Sequence, residues 1–281
     1  MNPRFFGNSK QPLFGIYHPP RGRKPDTRAV VICPSIGHEY IRSHWALRTL
    51  ATKLARAGCG VFRFDYRGTG DSSGDVSDVL SVREWVEDAC EAGVELLEEC
   101  GQNRAVTFVG FRFGASIACM AAKELAESNS VATELVLWEP SLVGANYLSE
   151  LRSMHNEMLD LWASPVETED STEFEELLGF RYQRGLIDEL ESTDLLHDSQ
   201  PSAEQIAVFN SRETIDLSPW ESNASTHSTG DGYDWDDLRY IAEAWLPGNG
   251  LSLVCDAITK TAASEKKPEN RIPSGVGSPV S

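Results

Sequence analysis

The sequence predicts an α/β domain with a mostly parallel sheet and helices on both faces. Three observations lead there. Short, nearly uninterrupted apolar runs recur at 29–33, 60–65, 105–109, 134–138 and 206–209, as strands buried on both faces do. Longer stretches with apolar residues at helical spacing lie between most of them. One of the runs ends in a pair of glycines, Gly110 and Gly114, that opens directly into a small-residue helix.

In chain order, residues 12–18 read as a strand, followed by a Pro/Arg/Gly turn at 19–26. Ala29-Val30-Val31-Ile32-Cys33 is a buried strand stopped by Pro34. Residues 43–57 have helical spacing, with Trp45, Leu47, Leu50, Ala51 and Leu54 on one side and Gly58 as the stop. The strand at 60–65 runs into a loop rich in Gly, Asp and Ser over 68–77. That loop lacks the lysine and the spacing of a phosphate-binding loop, and reads as a tight turn with internal hydrogen bonds. A helix over 79–99 carries Val82, Trp85, Val86, Ala89, Val94 and Leu97. The strand at 105–109 turns at Gly110 into a helix from about 113 to 126, and 134–138 is the next strand. The alternation then breaks. Residues 143–204 read as a helical, acidic insertion over the sheet, with Glu167, Glu169, Asp170, Glu173, Glu175 and Glu176 close together. A strand at 206–209, a polar loop at 221–232 and a closing helix from about 250 to 263 follow. The expected organisation is therefore a core in two parts, 1–142 and 205–262, separated by a cap at 143–204 and trailed by a disordered tail at 263–281.

Charge and composition narrow the function. Lys and Arg number 25 against 43 Asp and Glu, a formal net charge of -18. Such a surface repels phosphate backbones and anionic headgroups, which argues against nucleic acid and membrane partners. The N-terminus has no apolar leader and no stretch reaches the length of a membrane span. The six cysteines form no CxxC pair and no metal-ligand spacing, so a reducing cytoplasm, no metal and no cofactor are expected. The partner classes left are a small-molecule ligand and another protein.

The most informative stretch is Thr107-Phe108-Val109-Gly110-Phe111-Arg112-Phe113-Gly114-Ala115-Ser116. A strand, then Gly-x-x-x-Gly, then a helix of small residues is the context of a nucleophile elbow, whose middle residue sits on a tight turn. Here the middle residue is Arg112. A guanidinium stays protonated and cannot attack a carbonyl, so serine acyl-transfer chemistry is excluded at this position.

Cys33-Pro34-Ser35-Ile36-Gly37-His38-Glu39-Tyr40 follows the first long strand, and Phe64-Asp65-Tyr66-Arg67-Gly68-Thr69-Gly70-Asp71-Ser72 closes the next. With the elbow, in this order and spacing, these segments resemble the serine aminopeptidase-like group of the α/β-hydrolases over most of residues 12–142. The resemblance implies an α/β-hydrolase fold with a short helical cap, and an oxyanion loop at Ser35, Ile36 and His38. A narrower resemblance lies further on. Leu137-Trp138-Glu139-Pro140-Ser141-Leu142-Val143-Gly144-Ala145-Asn146-Tyr147-Leu148 is similar to the W-[DE]-P…G…YL stretch of the exosortase A system-associated hydrolases. Leu178-Gly179-Phe180, followed by Leu186 and Leu195, resembles their cap, and Gly232-Tyr233-Asp234-Trp235 resembles a segment near their C-terminal end. Members of that group often carry G-[LF]-R-x-G at the elbow, which implies that Arg112 is a family trait.

In this fold the acid and the histidine follow the elbow in chain order. Asp216 or Glu213 could hold the acid position, with a solvated loop carboxylate as the plainer reading of each. His227 is the one histidine beyond residue 220, and its polar neighbours read as a surface site. Ser35, Cys33, Ser116 and Cys119 have no general base at a recognisable spacing. Arg112 either binds an anionic ligand group or is neutralised internally, with Glu139 the leading internal partner because it closes the adjacent strand. The expected pocket places Ser35, Ile36, His38, Phe111, Arg112, Phe113 and Glu139 around the ligand, with Trp138 as a further apolar wall. Three functions remain open: a non-hydrolytic binding protein, a hydrolase or acyl transferase on ester, thioester or amide substrates with a non-standard nucleophile, and an accessory protein of an exosortase or exopolysaccharide system.

Overall fold

The computed structural model describes residues 1–21, 28–101, 104–161, 172–197, 201–211, 215–220, 224–231, 235, 237–241, 243–245 and 247–264. The chain opens with an antiparallel pair, β1 (Asn2–Phe6) and β2 (Leu13–His18). β3 (Ala29–Cys33), α1 (Gly37–Ala57), β4 (Gly60–Phe64), α2 (Val82–Cys100), β5 (Val106–Phe111), α3 (Gly114–Asn129) and β6 (Thr133–Trp138) then alternate. An insertion carries α4 (Gly144–Leu161), a hairpin of β7 (Phe174–Leu177) and β8 (Phe180–Gln183), and α5 (Arg184–Ser192). β9 (Gln205–Asn210), β10 (Ala224–Ser228) and α6 (Asn249–Ser264) complete the core.

The main sheet has eight strands in the order β1-β2-β4-β3-β5-β6-β9-β10. β2 runs antiparallel to both its neighbours, and the strands from β4 to β10 are parallel. Alternate residues of each buried strand feed two separate cores. Val31, Cys33, Phe108 and Leu137 pack under α2, α3 and the cap, while Val30, Ile32, Val109 and Val136 pack under α1 and α6. This is the α/β-hydrolase arrangement. Among the described residues no helix is long and apolar enough to cross a membrane.

The structure differs from the sequence expectation in five places. β1 was not foreseen; it pairs over its whole length with β2 and leaves Phe5 exposed. α1 begins at Gly37, so His38 and Glu39 lie on its first turn and not in a loop. The reason is local: Gly37 takes φ 57°, which turns the chain straight from β3 into the helix. Trp45, expected on the apolar side of that helix, is 52% exposed under the Arg48 guanidinium. The cap is not wholly helical. Leu178 and Gly179, both at positive φ, form a two-residue loop that matches strand twist and closes the β7–β8 hairpin. The polar loop expected at 221–232 contains β10, whose Ala-Ser-Thr-His-Ser shows no apolar alternation and forms a strand by pairing with β9. The tail expected to be disordered lies, beyond Ser264, outside the described residues, as do Glu213, Gly232, Tyr233 and Asp234.

The two ends of the cap are joined through their backbone where they meet the core. Gly144 N–H donates to the Thr193 carbonyl at 2.7 Å, Val143 pairs with Asp194, and Leu195 N–H donates to the core carbonyl of Leu142 at 3.0 Å. Within the cap, Arg152 grips Glu175 through two bonds of 2.7 and 3.1 Å and reaches Glu191 at 3.0 Å.

Candidate functional site

The turn between β5 and α3 has the tight, left-handed shape of a nucleophile elbow, with Arg112 at its middle. Arg112 adopts φ 52° between the buried end of β5 and the start of α3. Left-handed backbone costs a residue with a Cβ about 1–2 kcal/mol, so the surroundings must hold it. They do so by hydrogen bonds: Arg112 N–H donates to the Trp138 carbonyl at 3.2 Å, and its carbonyl accepts from Ala115 and Ser141 at 3.0 and 3.1 Å. Gly110 and Gly114 are required by packing. A Cβ on Gly114 would collide with the Pro34 carbonyl, and one on Gly110 with the Ala115 backbone.

The Arg112 side chain is buried and doubly paired. Its Nε donates to Glu39 Oε1 at 2.6 Å, and its Nη2 to Glu150 Oε2 at 2.9 Å. Glu39 comes from the first turn of α1, where the helix dipole favours a carboxylate, and its side chain is 1% exposed. Its second oxygen accepts from the Tyr147 hydroxyl at 3.2 Å. Glu150 comes from α4 of the cap and is 38% exposed. The guanidinium carbon lies 6.0 Å from the Tyr147 ring centre and 5.6 Å from that of Trp235, within cation–π range. Desolvation is the largest single influence on Arg112 and lowers its pKa, but the attraction of Glu39 and Glu150 and the Glu39 hydrogen bond together hold it above the usual arginine value.

This corrects the expected pairing of Arg112 with Glu139. Glu139 closes β6 at φ 48° and its Oε2 accepts from Ser211 Oγ at 2.9 Å. The carboxylates that reach Arg112 come instead from α1 and the cap. Glu39 could have been found in the sequence: read as helix, 37–57 sets Glu39, Arg42, Ala46 and Leu50 on one face. No sequence signal gave Glu150, because its position depends on how the cap folds back.

The other expected pocket residues divide between the two cores. Phe113 stacks on Tyr147 with ring centres 5.3 Å apart, and Ile36 lies in the same cluster. Phe111 and Trp138 pack on the opposite face with Trp235 and Trp245, with centroids 4.8–5.5 Å apart, so they do not wall a cavity together with Phe113. Ser35 Oγ is 3.2 Å from Ser43 Oγ and buried, and Ser116 Oγ donates to the Ser141 carbonyl at 2.7 Å. Neither touches a base among the described residues. His38 is 6% exposed and its Nε2 has no partner among the described residues. Burial, then the charges of Arg42 and Arg112, press its pKa down to about 3, which keeps the ring neutral. The cap closes over the start of α1: a Cβ on Gly37 would lie 2.6 Å from the Tyr182 hydroxyl.

The acid and base positions are open to solvent. Asp216 is exposed and accepts from Ser218 N–H at 2.9 Å, a bond that lowers its pKa. His227 stands on β10, stacks on Phe209 at 4.9 Å and meets Ser225 Oγ at 3.1 Å. The register Phe111–Trp138–Phe209–His227 puts it three strands from the elbow strand, about 14 Å by sheet spacing. The structure does not bring Arg112, Asp216 and His227 together. Among the described residues no group of three or more His, Cys, Asp or Glu could hold a metal ion.

The model of the family described as serine aminopeptidase, S33, matches residues 25–185. No curated protein sequence matches the chain significantly. Among solved structures, the chain is similar to Est1E of Butyrivibrio proteoclasticus with ferulic acid bound. That match has 13% identity and a TM-score of 0.60, and covers 93% of this chain and 98% of that one. A presumptive hydrolase from Agrobacterium vitis S4 matches at 17% identity and TM-score 0.59, covering 93% and 97%. A serine hydrolase without a lid from Xanthomonas campestris matches at 14% identity and TM-score 0.51, covering 94% and 92%. At these identities the likeness is one of fold.

Proposed function

Because the chain belongs to the serine aminopeptidase S33 family while its elbow carries an arginine, we propose that it is a non-hydrolytic member that binds a small ligand or a protein partner at the capped end of the sheet. One observation carries the reading: the elbow backbone is retained at φ 52°, but the side chain it presents is a guanidinium clamped between Glu39 and Glu150. A strained turn kept after its nucleophile has gone fits a site that still recognises something. A fixed guanidinium suits carboxylate or phosphate recognition. The reading places the protein in the cytoplasm. The resemblance to exosortase A system-associated hydrolases supports an accessory role in such a system, with the acidic cap as a docking face; co-purification with the products of neighbouring genes tests that role.

A hydrolytic reading has one observation in its favour, the unpartnered Nε2 of His38 beside Arg112, which could orient a water. A base whose pKa lies near 3 is a weak one at neutral pH. The deciding experiment measures turnover of acyl esters, thioesters and aminoacyl amides by wild type, Arg112→Ser, Arg112→Ala and His38→Gln. No wild-type turnover, with or without a gain in Arg112→Ser, agrees with the binding reading. Turnover that survives Arg112→Ala and disappears in His38→Gln overturns it in favour of a water-activating enzyme.

A further inference from the structure

The two carboxylates on Arg112 are not equivalent. Glu39 is sealed, sits on a core helix and is held a second time by Tyr147. Glu150 belongs to the cap, is 38% exposed, and makes one bond to the guanidinium, through Nη2. Nη1 of Arg112 donates to no described residue. The outer edge of the guanidinium, comprising Nη1 and Nη2, is thus half covered by a carboxylate that can leave.

We propose that Glu150 is a built-in occupant of a carboxylate-binding site on Arg112, displaced when a small molecule bearing a carboxylate binds there. The proposal rests on the ligand-binding reading above and names its ligand class. Two features favour a carboxylate. The group to be displaced is itself a carboxylate at 2.9 Å from Nη2. The planar fork, with Nε fixed by Glu39, offers Nη1 and Nη2 to a two-oxygen acceptor once Glu150 has left. Charge balance agrees: exchanging Glu150 for a ligand carboxylate leaves the number of negative charges on Arg112 unchanged. Releasing Glu150 is eased because its carboxylate, 38% exposed, regains water as it swings out. Tyr147 lies one turn before Glu150 on α4, so the same helix keeps its hold on Glu39 while the carboxylate swings out.

The test titrates the full chain with benzoate and follows the Arg112 Nε–H resonance, assigned by through-bond NMR. Benzamide serves as the neutral counterpart and inorganic phosphate as a second anion. Glu150→Gln removes the competitor, and Glu157→Gln, an exposed change on the same helix, controls for net charge. The expected result is that benzoate shifts the resonance, benzamide does not, and Glu150→Gln tightens benzoate about threefold to fivefold while Glu157→Gln leaves it unchanged. Equal benzoate affinity in wild type and Glu150→Gln overturns the displacement and leaves the ligand-binding reading standing. A shift with phosphate and none with benzoate overturns the carboxylate assignment. No shift with any anion in either protein overturns the site and the small-ligand reading with it.

Discussion

At the carboxyl end of β5 the side chain on the turn is buried, paired with two carboxylates and flanked by two aromatic rings; three strands away, on β10, His227 stands on an exposed polar edge with Phe209 and Ser225 as its contacts. Both places belong to the same sheet, and they are built differently. The elbow side chain sits in a closed network of charges, whereas Asp216 and His227 are exposed and make few contacts among the described residues. A buried charge network has to be complete to be tolerated, so the elbow is under physical constraint whatever its role. A solvated histidine is under none.

The contrast predicts where substitutions will be felt. Arg112→Met leaves Glu39 buried without its cation and should cost about 3–5 kcal/mol in denaturant unfolding; a cost below about 1 kcal/mol would erase the distinction between the two regions. His38 gives a pH signature to the elbow side. Its folded pKa, about 3, lies below the ordinary histidine value of 6.5, so between these limits the unfolded chain holds a proton that the native chain does not. Stability is therefore full above pH 6.5 and falls as pH drops, by more than about 1 kcal/mol per unit from this group. His18, pressed to about 4 mainly by burial, acts in the same direction. Unfolding midpoints between pH 5 and 7 should show a shallower decline in His38→Gln than in wild type, and equal slopes would refute the buried neutral ring. Gly37→Ala should cost about 1–3 kcal/mol from its left-handed backbone and from the Tyr182 hydroxyl. Tyr182→Phe in that background should recover part of the loss. At the other end of the sheet, His227→Ala and Asp216→Asn should each stay within about 0.5 kcal/mol and leave ligand binding unchanged.

The same division separates what the sequence revealed from what it hid. Buried strands announce themselves by apolar runs, so β3, β4, β5, β6 and β9 and the helices between them were legible. The elbow was legible because its two glycines, each required by close backbone contact, stand at a fixed spacing between an apolar run and a small-residue helix. β10 was not, since its five residues owe their conformation to pairing with β9. The partner of Arg112 was misassigned to Glu139 for a related reason. Proximity of strand ends suggested it, but at φ 48° Glu139 sends its carboxylate to Ser211. Glu39 was hidden by reading 35–40 as loop, and Glu150 by the folding-back of a cap whose hairpin turn, at Leu178 and Gly179, gave no apolar pattern.

Gly114 is fixed by the Pro34 carbonyl and Gly110 by the backbone of Ala115, neither of which takes part in bond-making. The spacing of these two glycines therefore records how closely a strand, a loop and a helix approach one another. It will persist in any descendant that keeps this packing, with or without a nucleophile between them. A survey that counts the glycine pair as a mark of hydrolysis is therefore reading packing; the residue midway between the glycines has to be read separately.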